Sequence, residues 1–227
     1  MSKVFFQIGT NTGYDQFREN VKFSKPDRVI LVEPNRELVP EITKNYKDIS
    51  GVRIYNNAIY YENNKNVDLF IPKLVSRSDD SIMGMRAANG CHYNNEHYTL
   101  CPLNDWGDSK DEMTKITAEG ITFDEICRRE NITEIEYLQI DTEGFDTEII
   151  KMIDLKKYKI HRIRFEKWEF NSEQFSKFNS NIEGKNLAKK LGNAGLQDAI
   201  NKLIENNYVL IDVQDLDGND KLAILLC

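Results

Sequence analysis

The sequence of 227 residues has no run of about 20 apolar residues, the length that a membrane-spanning helix requires. It also has no internal repeat and no low-complexity segment, and its acidic and basic residues are interspersed. With 40% hydrophobic residues the chain can bury a full core, so we exclude a disordered or fibrous protein. The length predicts one domain that spans residues 1–227.

Cysteine and histidine are scarce. The four cysteines and three histidines include no Cys-x-x-Cys pair and no spacing typical of a zinc site. Cys91 and Cys101 flank a polar loop and could form a bridge, but a chain of this length does not need one, so we expect reduced thiols. The apolar run after Met1 lacks a signal-peptide cleavage site, which favours a cytoplasmic protein. The net charge of -7 argues against broad contact with nucleic acid.

Short apolar runs alternate with segments of helical periodicity. This alternation predicts a mostly parallel sheet with helices on both faces, and a C-terminal hairpin adds antiparallel strands at one edge. Residues 61–118 show a less regular pattern, apart from one predicted strand at 67–71. We predict strands at 4–8, 27–34, 52–55, 67–71, 136–141, 160–166, 208–213 and 222–226. We predict helices at 35–47, 122–131, 148–155 and 196–206, and Phe17, Val21 and Phe23 also have helical spacing.

The first predicted strand ends in a loop that contains two glycines. The loop is Gly9-Thr10-Asn11-Thr12-Gly13. A loop of this kind brings backbone N–H groups and a helix N-terminus to the carboxyl edge of the sheet, where open α/β sheets bind ligands. An ordinary strand-to-helix turn is the alternative, because pairs of glycines at this spacing are common.

Glu33 lies 20 residues after Gly13, at the end of the second predicted strand. At that place a carboxylate can accept hydrogen bonds from ribose hydroxyls. The glycine loop lacks the full Gly-x-Gly-x-x-Gly pattern that a pyrophosphate requires, so a nucleoside without phosphates fits better than a dinucleotide. The alternative for Glu33 is a solvated acid at a strand end.

Further acids lie at the carboxyl ends of later strands. Asp141 ends one strand, Glu143 follows in the loop, and Glu166 ends the next strand. Carboxylates gathered at one edge can act as a general base or hold Mg²⁺ or Mn²⁺. Solvation of the strand ends is the alternative for each of them. For Asp146, the structural alternative is a cap on the helix that follows.

The ordered set of these segments resembles the FkbM-type methyltransferases, which use S-adenosylmethionine (SAM). Each motif is loose, but their order between residues 4 and 166 is specific. The matching segments are Gln7-Ile8-Gly9-Thr10-Asn11-Thr12-Gly13-Tyr14, Val32-Glu33-Pro34, Asn56-Asn57-Ala58-Ile59, Thr122-Phe123-Asp124 and Gln139-Ile140-Asp141-Thr142-Glu143-Gly144-Phe145-Asp146.

The resemblance implies a Rossmann-like class I methyltransferase fold, with a mostly parallel seven-stranded sheet and a C-terminal antiparallel hairpin. It also implies SAM as the cofactor, S-adenosylhomocysteine as the product, and methyl transfer to a sugar hydroxyl of a glycan or glycoconjugate. The catalytic residues would be Asp141, Glu143 and Glu166 without a metal, or these three acids would hold a divalent metal. The cofactor-binding residues would be Gln7, Gly9, Thr10, Asn11, Gly13, Tyr14, Glu33, Pro34, Asn57, Ala58 and Asp141.

The sequence departs from the family pattern at two positions. Gln7 stands where the family has an acid near the methionine amino group, and Gln139 stands where it has a lysine. The chain also begins almost directly at its first strand, so we expect a minimal enzyme or one domain of a larger glycan-building protein. Its asparagine and isoleucine suggest an AT-rich viral or bacterial genome, and the host cytoplasm as location if the source is viral.

Two polar segments, 72–118 and 167–207, are expected to cover the acceptor. Aromatic residues in them would stack on sugar faces or pack onto the sheet; they are Tyr93, Tyr98, Trp106 and Trp168. Two other classes of function stay open, a dinucleotide-dependent Rossmann enzyme and a non-catalytic module that binds SAM or a glycan. We expect neither a membrane span nor a nucleic-acid partner.

Overall fold

The computed structural model of the protein describes residues 2–72, 113–142, 144–166, 193–213 and 220–226. Its helices are α1 (Gln16–Ser24), α2 (Val39–Asn45), α3 (Phe123–Arg129), α4 (Asp146–Met152) and α5 (Asn193–Glu205). Its strands are β1 (Val4–Ile8), β2 (Arg28–Val32), β3 (Val52–Tyr55), β4 (Ala58–Ile59), β5 (Asn66–Pro72), β6 (Met113–Ile121), β7 (Glu134–Ile135), β8 (Tyr137–Ile140), β9 (Lys159–Ile160), β10 (Arg162–Glu166), β11 (Tyr208–Asp212) and β12 (Asp220–Leu225).

Seven strands form the central sheet, in the order β11-β12-β10-β8-β1-β2-β3. Strands β3, β2, β1, β8 and β10 pair in parallel. Strand β12 runs antiparallel to both of its neighbours, β10 and β11. This arrangement confirms the predicted fold class, a class I methyltransferase-like sheet that is mostly parallel and carries an antiparallel C-terminal hairpin.

Helices cover both faces of the sheet, as predicted. Every residue of β1 is buried, which explains why four of its five residues are apolar; Gln7 is the exception. On one face Phe5 packs with Phe17 of α1 and Ile42 of α2. On the other face Phe6 packs with residues of α3, α4 and α5, among them Ile149.

The predicted helix at 35–47 is shorter in the structure. A 3-10 turn at Arg36–Leu38 leads into α2, because Pro40 lies in the first turn, where a missing N–H is tolerated. The face predicted for this helix is correct, since Leu38, Ile42 and Tyr46 are all buried. The predicted strand at 160–166 is divided at His161, whose side chain contacts Glu134 at 2.7 Å.

A second sheet has the order β4-β6-β5 and lies in the region that the sequence suggested was irregular. Strand β5 confirms the strand predicted at 67–71. Strand β6 was not predicted, because polar residues interrupt its apolar pattern. Residues 113–118 of the predicted cover 72–118 therefore belong to a strand paired with β5.

The predicted cover 167–207 likewise includes a scaffold element. Helix α5 occupies 193–205, and its Ala199 and Leu203 are buried in the main core. The remaining parts of the two predicted covers, 73–112 and 167–192, lie outside the described residues, and so do their aromatic residues and the cysteines at 91 and 101. Cys127 is a free, buried thiol, as expected. No helix within the described ranges is long and apolar enough to cross a membrane.

Candidate active site

The candidate site lies where the chain changes direction in the sheet. From β1 the chain builds outward to β2 and β3, and it later returns to place β8 on the other side of β1. Ligands of open α/β sheets bind at the carboxyl ends of the strands on the two sides of such a switch point. Gly9 follows β1 and Asp141 follows β8, and the Asp141 N–H donates to the Ile8 carbonyl at 2.9 Å. The glycine loop and the acid-bearing loop therefore meet here.

The glycine loop has a backbone that requires glycine. Gly9 and Gly13 have φ of 80° and 70°, and a β-carbon on Gly9 would come within 1.6 Å of the Asp141 carbonyl oxygen. The N–H groups of Gly9 and Thr10 donate to the Val32 carbonyl at 3.0 and 3.2 Å. The loop is thus held between the ends of β1, β2 and β8.

Glu33 is buried and holds this loop through hydrogen bonds, so it is not a solvated acid at a strand end. Its side chain is 4% exposed. One carboxylate oxygen accepts the Asn11 N–H at 2.7 Å, and the other accepts the Asn35 N–H at 2.8 Å. Asn56 supports the same strand end by donating to the carbonyls of Glu33 and Pro34. The structure therefore places Glu33, Pro34 and the glycine loop together.

The cofactor-binding candidates Asn57 and Ala58 follow β3. Ala58 is buried, and the Asn57 amide donates to the Glu119 carbonyl at 3.2 Å, which ties this strand end to β6. Tyr14 directly follows the glycine loop. Its ring is 75% exposed, and the Arg18 guanidinium lies 5.7 Å from the ring centre.

Gln7 turns its side chain inward below the loop. It is fully buried, and its amide N–H donates to the Asp15 carboxylate, which also accepts the Arg18 N–H and caps α1. Burial raises the pKa of Asp15, against the lowering effect of these two hydrogen bonds. Gln139, the other departure from the family pattern, is also buried and accepts from the Tyr137 hydroxyl at 3.1 Å.

The loop after β8 is held by Asp146. This side chain is fully buried, and it accepts hydrogen bonds from the Thr142 N–H at 2.8 Å, from the Thr142 hydroxyl, and from the Glu166 N–H at 3.2 Å. Asp146 does not cap α4, which was the structural alternative for it, because the cap position is Phe145 and the Asp146 side chain bonds to the preceding loop. Asp146 therefore joins the ends of β8 and β10.

The three acids proposed for catalysis are not all described. Asp141 and Glu166 are half-buried at the ends of β8 and β10, which are neighbours in the sheet. Glu143 lies outside the described residues, so the arrangement of the three stays a prediction. Within the described ranges, no three His, Cys, Asp or Glu side chains come together as metal ligands.

Tyr60, Tyr61 and Phe145 form an aromatic cluster beside the loop after β8. The Tyr61 ring meets Tyr60 edge-on at 5.0 Å and Phe145 edge-on at 5.8 Å, and the Tyr60 and Phe145 rings are stacked at 6.3 Å. The Tyr61 hydroxyl donates to the buried Glu148 of α4. Tyr61 is 37% exposed, so the cluster presents a fixed aromatic ring to solvent.

The sequence analysis assigned no role in this region to Asp15, Asn56 or Tyr61. It also missed the hydrogen bonds by which Asp146 fixes the loop after β8. Asn56 is the first residue of the matched segment Asn56-Asn57-Ala58-Ile59, so it had a signal in the sequence, although no role was assigned to it. The roles of the other three depend on contacts between distant segments.

Comparisons with known proteins give one family and two structural likenesses. The sequence model of the family described as Methyltransferase FkbM domain matches residues 7–209. The chain is similar to the structure of precorrin-6y C5,15-methyltransferase from Geobacter metallireducens GS-15, at 11% identity and a TM-score of 0.40, with 98% of this chain and 80% of that chain covered. It is also similar to the structure of M. capricolum TrmK in complex with S-adenosylhomocysteine, at 13% identity and a TM-score of 0.35, with 98% of this chain and 61% of that chain covered. A search of curated proteins found no match.

Proposed function

Because the chain belongs to the FkbM methyltransferase domain family, we propose that this SAM-dependent enzyme methylates a sugar hydroxyl of a glycan or glycoconjugate. The observation that carries the proposal is the packing of Gly9 against Asp141. It sets the Glu33 side of the glycine loop, which suits a nucleoside, next to the acid-bearing loop after β8. A donor and an acceptor bound at this edge would therefore be adjacent.

The residues on the Glu33 side fit the nucleoside of the donor. Each carboxylate oxygen can accept more than one hydrogen bond, so Glu33 can hold the Asn11 N–H and receive ribose hydroxyls as well. Its burial removes competing water from the carboxylate. Asn57 and Ala58 would lie near the adenine, and the loop from Gly9 to Gly13 would face the methionine part.

The acids on the other side supply the chemistry that the acceptor needs. When bound, SAM provides an electrophilic methyl group on a sulfonium centre. The task of the chain is to align the acceptor hydroxyl, which contributes about 7–11 kcal/mol, and to accept its proton, which contributes roughly 10²- to 10⁴-fold in rate. We assign these roles to Asp141, Glu143 and Glu166. Because a sugar hydroxyl is a very weak acid, the alternative is that these acids hold a divalent metal that lowers its pKa.

The aromatic cluster supports a ring-shaped acceptor. The exposed Tyr61 ring is fixed by two aromatic neighbours and by its hydrogen bond to Glu148, and the cluster includes Phe145, which follows the loop after β8. An aromatic ring held in one orientation can pack against the C–H face of a sugar at little entropic cost. We propose Tyr61 as part of the acceptor subsite, together with the predicted cover segments.

The test is transfer of a labelled methyl group from SAM to a panel of saccharides, with phenols and nucleosides as comparison acceptors. Labelled saccharides, and less labelled product with an Asp141→Asn variant, would support the proposal. Transfer only to the comparison acceptors would contradict the proposed substrate class. If SAM binds but no acceptor is labelled, the non-catalytic module becomes the better account.

A further inference from the structure

Strand β11 lies at one end of the central sheet and exposes apolar side chains. Among the described strands it pairs only with β12, so the other edge of its backbone is open to a further strand. Val209 and Ile211 of β11 are 44% and 47% exposed, and they share one face of the sheet because side chains alternate along a strand. Their neighbours on β12 are the half-buried Ile224 and Leu222. This face of the sheet end therefore carries an apolar strip that spans both strands.

Helix α5 brings a further apolar group to the other face of the same sheet end. Leu203 of α5 packs in the main core together with Tyr208 of β11. Lys202 points toward α4, where its ammonium group donates to two carbonyls at the end of that helix at 2.6 Å. Ile204 lies about 200° around α5 from Lys202 and therefore on the side away from α4. Since α4 connects β8 to β10, nearer the middle of the sheet, the exposed Ile204 lies toward the β11 end.

The β11 edge lacks the usual protection of an edge strand. Native proteins commonly prevent such strands from pairing with another chain by means of charged side chains or proline. Strand β3, at the other end of the sheet, follows this rule, because its exposed side chain is Arg53. Strand β11 has no lysine or proline, and its one charged residue, Asp212, is paired with Lys221 at 2.9 Å. In a chain with 30% charged residues, an apolar edge of this kind indicates an interface.

The sequence of β11 makes it complementary to a second copy of itself. In an antiparallel pair of two β11 strands centred on Leu210, Val209 of each copy lies opposite Ile211 of the other. Both of these contacts are apolar, and Asp212 lies opposite Tyr208 and not opposite a second acid. The arrangement is two-fold symmetric, so it closes at two copies. A strongly charged partner would find no opposite charge on this strip, whereas a second copy matches it at every position.

We propose that the chain forms a homodimer in which the β11 strands of two copies pair antiparallel and join the two central sheets. The inference is independent of the proposed function, because β11 lies four strands away from β1 and its glycine loop. A pair of five-residue strands is smaller than a standard interface, which buries about 800 Å² on each partner. We therefore expect a dissociation constant in the micromolar range.

Sedimentation velocity of the full chain over a range of concentrations tests the proposal. We expect the mass to rise from one copy to two as the concentration increases. Ile211→Lys places a charge against Val209 of the other copy, so the dissociation constant should rise by at least about 10-fold. Phe23→Lys is the matched control, because it introduces the same charge at an exposed apolar position on α1, and it should dimerise as the wild type does. Circular dichroism checks that both variants are folded.

A pair of variants tests the register of the two strands. Val209→Lys and Ile211→Asp should each be largely monomeric when alone. When the two variants are mixed, the introduced lysine lies opposite the introduced aspartate at one contact, which favours pairing. The other contact keeps its wild-type pair, Ile211 of one chain and Val209 of the other. We therefore expect the mixture to form a heterodimer.

Each remaining outcome would contradict the proposal. A wild-type chain that stays monomeric at all concentrations would overturn it, and would indicate that the β11 edge is covered within the chain or by a different partner. Dimers that persist in Ile211→Lys would place the interface elsewhere. Assemblies larger than two copies would contradict the two-fold closure. Two monomeric variants that stay monomeric when mixed would exclude the antiparallel register.

Discussion

Gly9 packs so closely on Asp141 that a β-carbon at position 9 would lie 1.6 Å from the Asp141 carbonyl oxygen. The two residues directly follow neighbouring strands, β1 and β8, and the contact joins the glycine loop to the acid-bearing loop. The relative position of the two halves of the candidate site is therefore fixed by backbone atoms.

Replacing Gly9 with alanine should disrupt this contact. The added methyl group forces the loops apart, and φ of 80° is unfavourable for alanine, so we expect a loss of at least about 2 kcal/mol in the free energy of unfolding. Urea denaturation followed by circular dichroism measures it. Gly51→Ala is the control, because Gly51 also has positive φ and a carbonyl close to its β-carbon position. Gly51 precedes β3, so it lies at the amino ends of the strands, away from the candidate site. Gly51→Ala should lower stability and spare donor affinity. Normal stability of Gly9→Ala would contradict the described contact.

Glu33→Gln should weaken donor binding and also cost stability. Glutamine retains one acceptor oxygen, so either the Asn11 or the Asn35 N–H loses its partner, at a cost of about 1–3 kcal/mol. Titration of S-adenosylhomocysteine should show an affinity lower by roughly 10-fold or more. The exposed Glu37→Gln is the matched control and should behave as wild type. Wild-type affinity in Glu33→Gln would remove Glu33 from the donor site.

Charge removal at the acids should lower turnover. We expect Glu143→Gln to reduce kcat by about 10²-fold, the scale of a lost general base, with donor affinity nearly kept. Asp141→Asn should also lower kcat. The same assay with and without chelator decides between the two mechanisms, because loss of activity with chelator and recovery with Mn²⁺ would favour the metal. Near-normal turnover in both variants, with and without chelator, would show that Asp141 and Glu143 have no catalytic role.

The ring of Tyr61, more than its hydroxyl, should matter for the acceptor. Tyr61→Ala removes the ring and should raise the KM for a saccharide acceptor by about 3- to 10-fold, the scale of a single aromatic contact. Tyr61→Phe keeps the ring and should leave that KM near wild type, although it loses the hydrogen bond to Glu148. The donor KM should change in neither variant. Phe23→Ala, at a 92% exposed position on α1, serves as the control. Equal effects of the two Tyr61 variants would argue against stacking.

The sequence was sufficient to predict the sheet and the strand ends that carry Gly9, Glu33 and Asp141. Their apolar runs are buried on both faces, and burial of this kind leaves a clear local pattern. Strand β6 left no such pattern, because its polar residues interrupt the alternation. The burial of Glu33 was also missed, since its partners are the backbone N–H groups of Asn11 and Asn35 and not side chains with a recognisable type.

The contacts between distant segments could not be read from the sequence. Gln7 and Asp15 are close in sequence, but their contact depends on how the loop between β1 and α1 folds. Tyr61 reaches Phe145 and Glu148 through the packing of β4 beside α4. Asp146 looked like a helix cap, and its bonds to Thr142 and the Glu166 N–H become visible only when β8 and β10 are neighbours. Tertiary structure decides each of these roles.

The pairing of β1 with β8 has a kinetic consequence. Phe5 lies beside Tyr137, so the strands that flank the site come from distant parts of the chain. Parallel pairings over such separations form slowly, because the intervening chain must be closed before the contacts are gained. During synthesis the chain can form β1, β2 and β3 early, but the site is complete only after β8 has emerged and docked. A ligand that bridges the two strands would then bind the finished sheet and protect it against unfolding in proportion to its concentration.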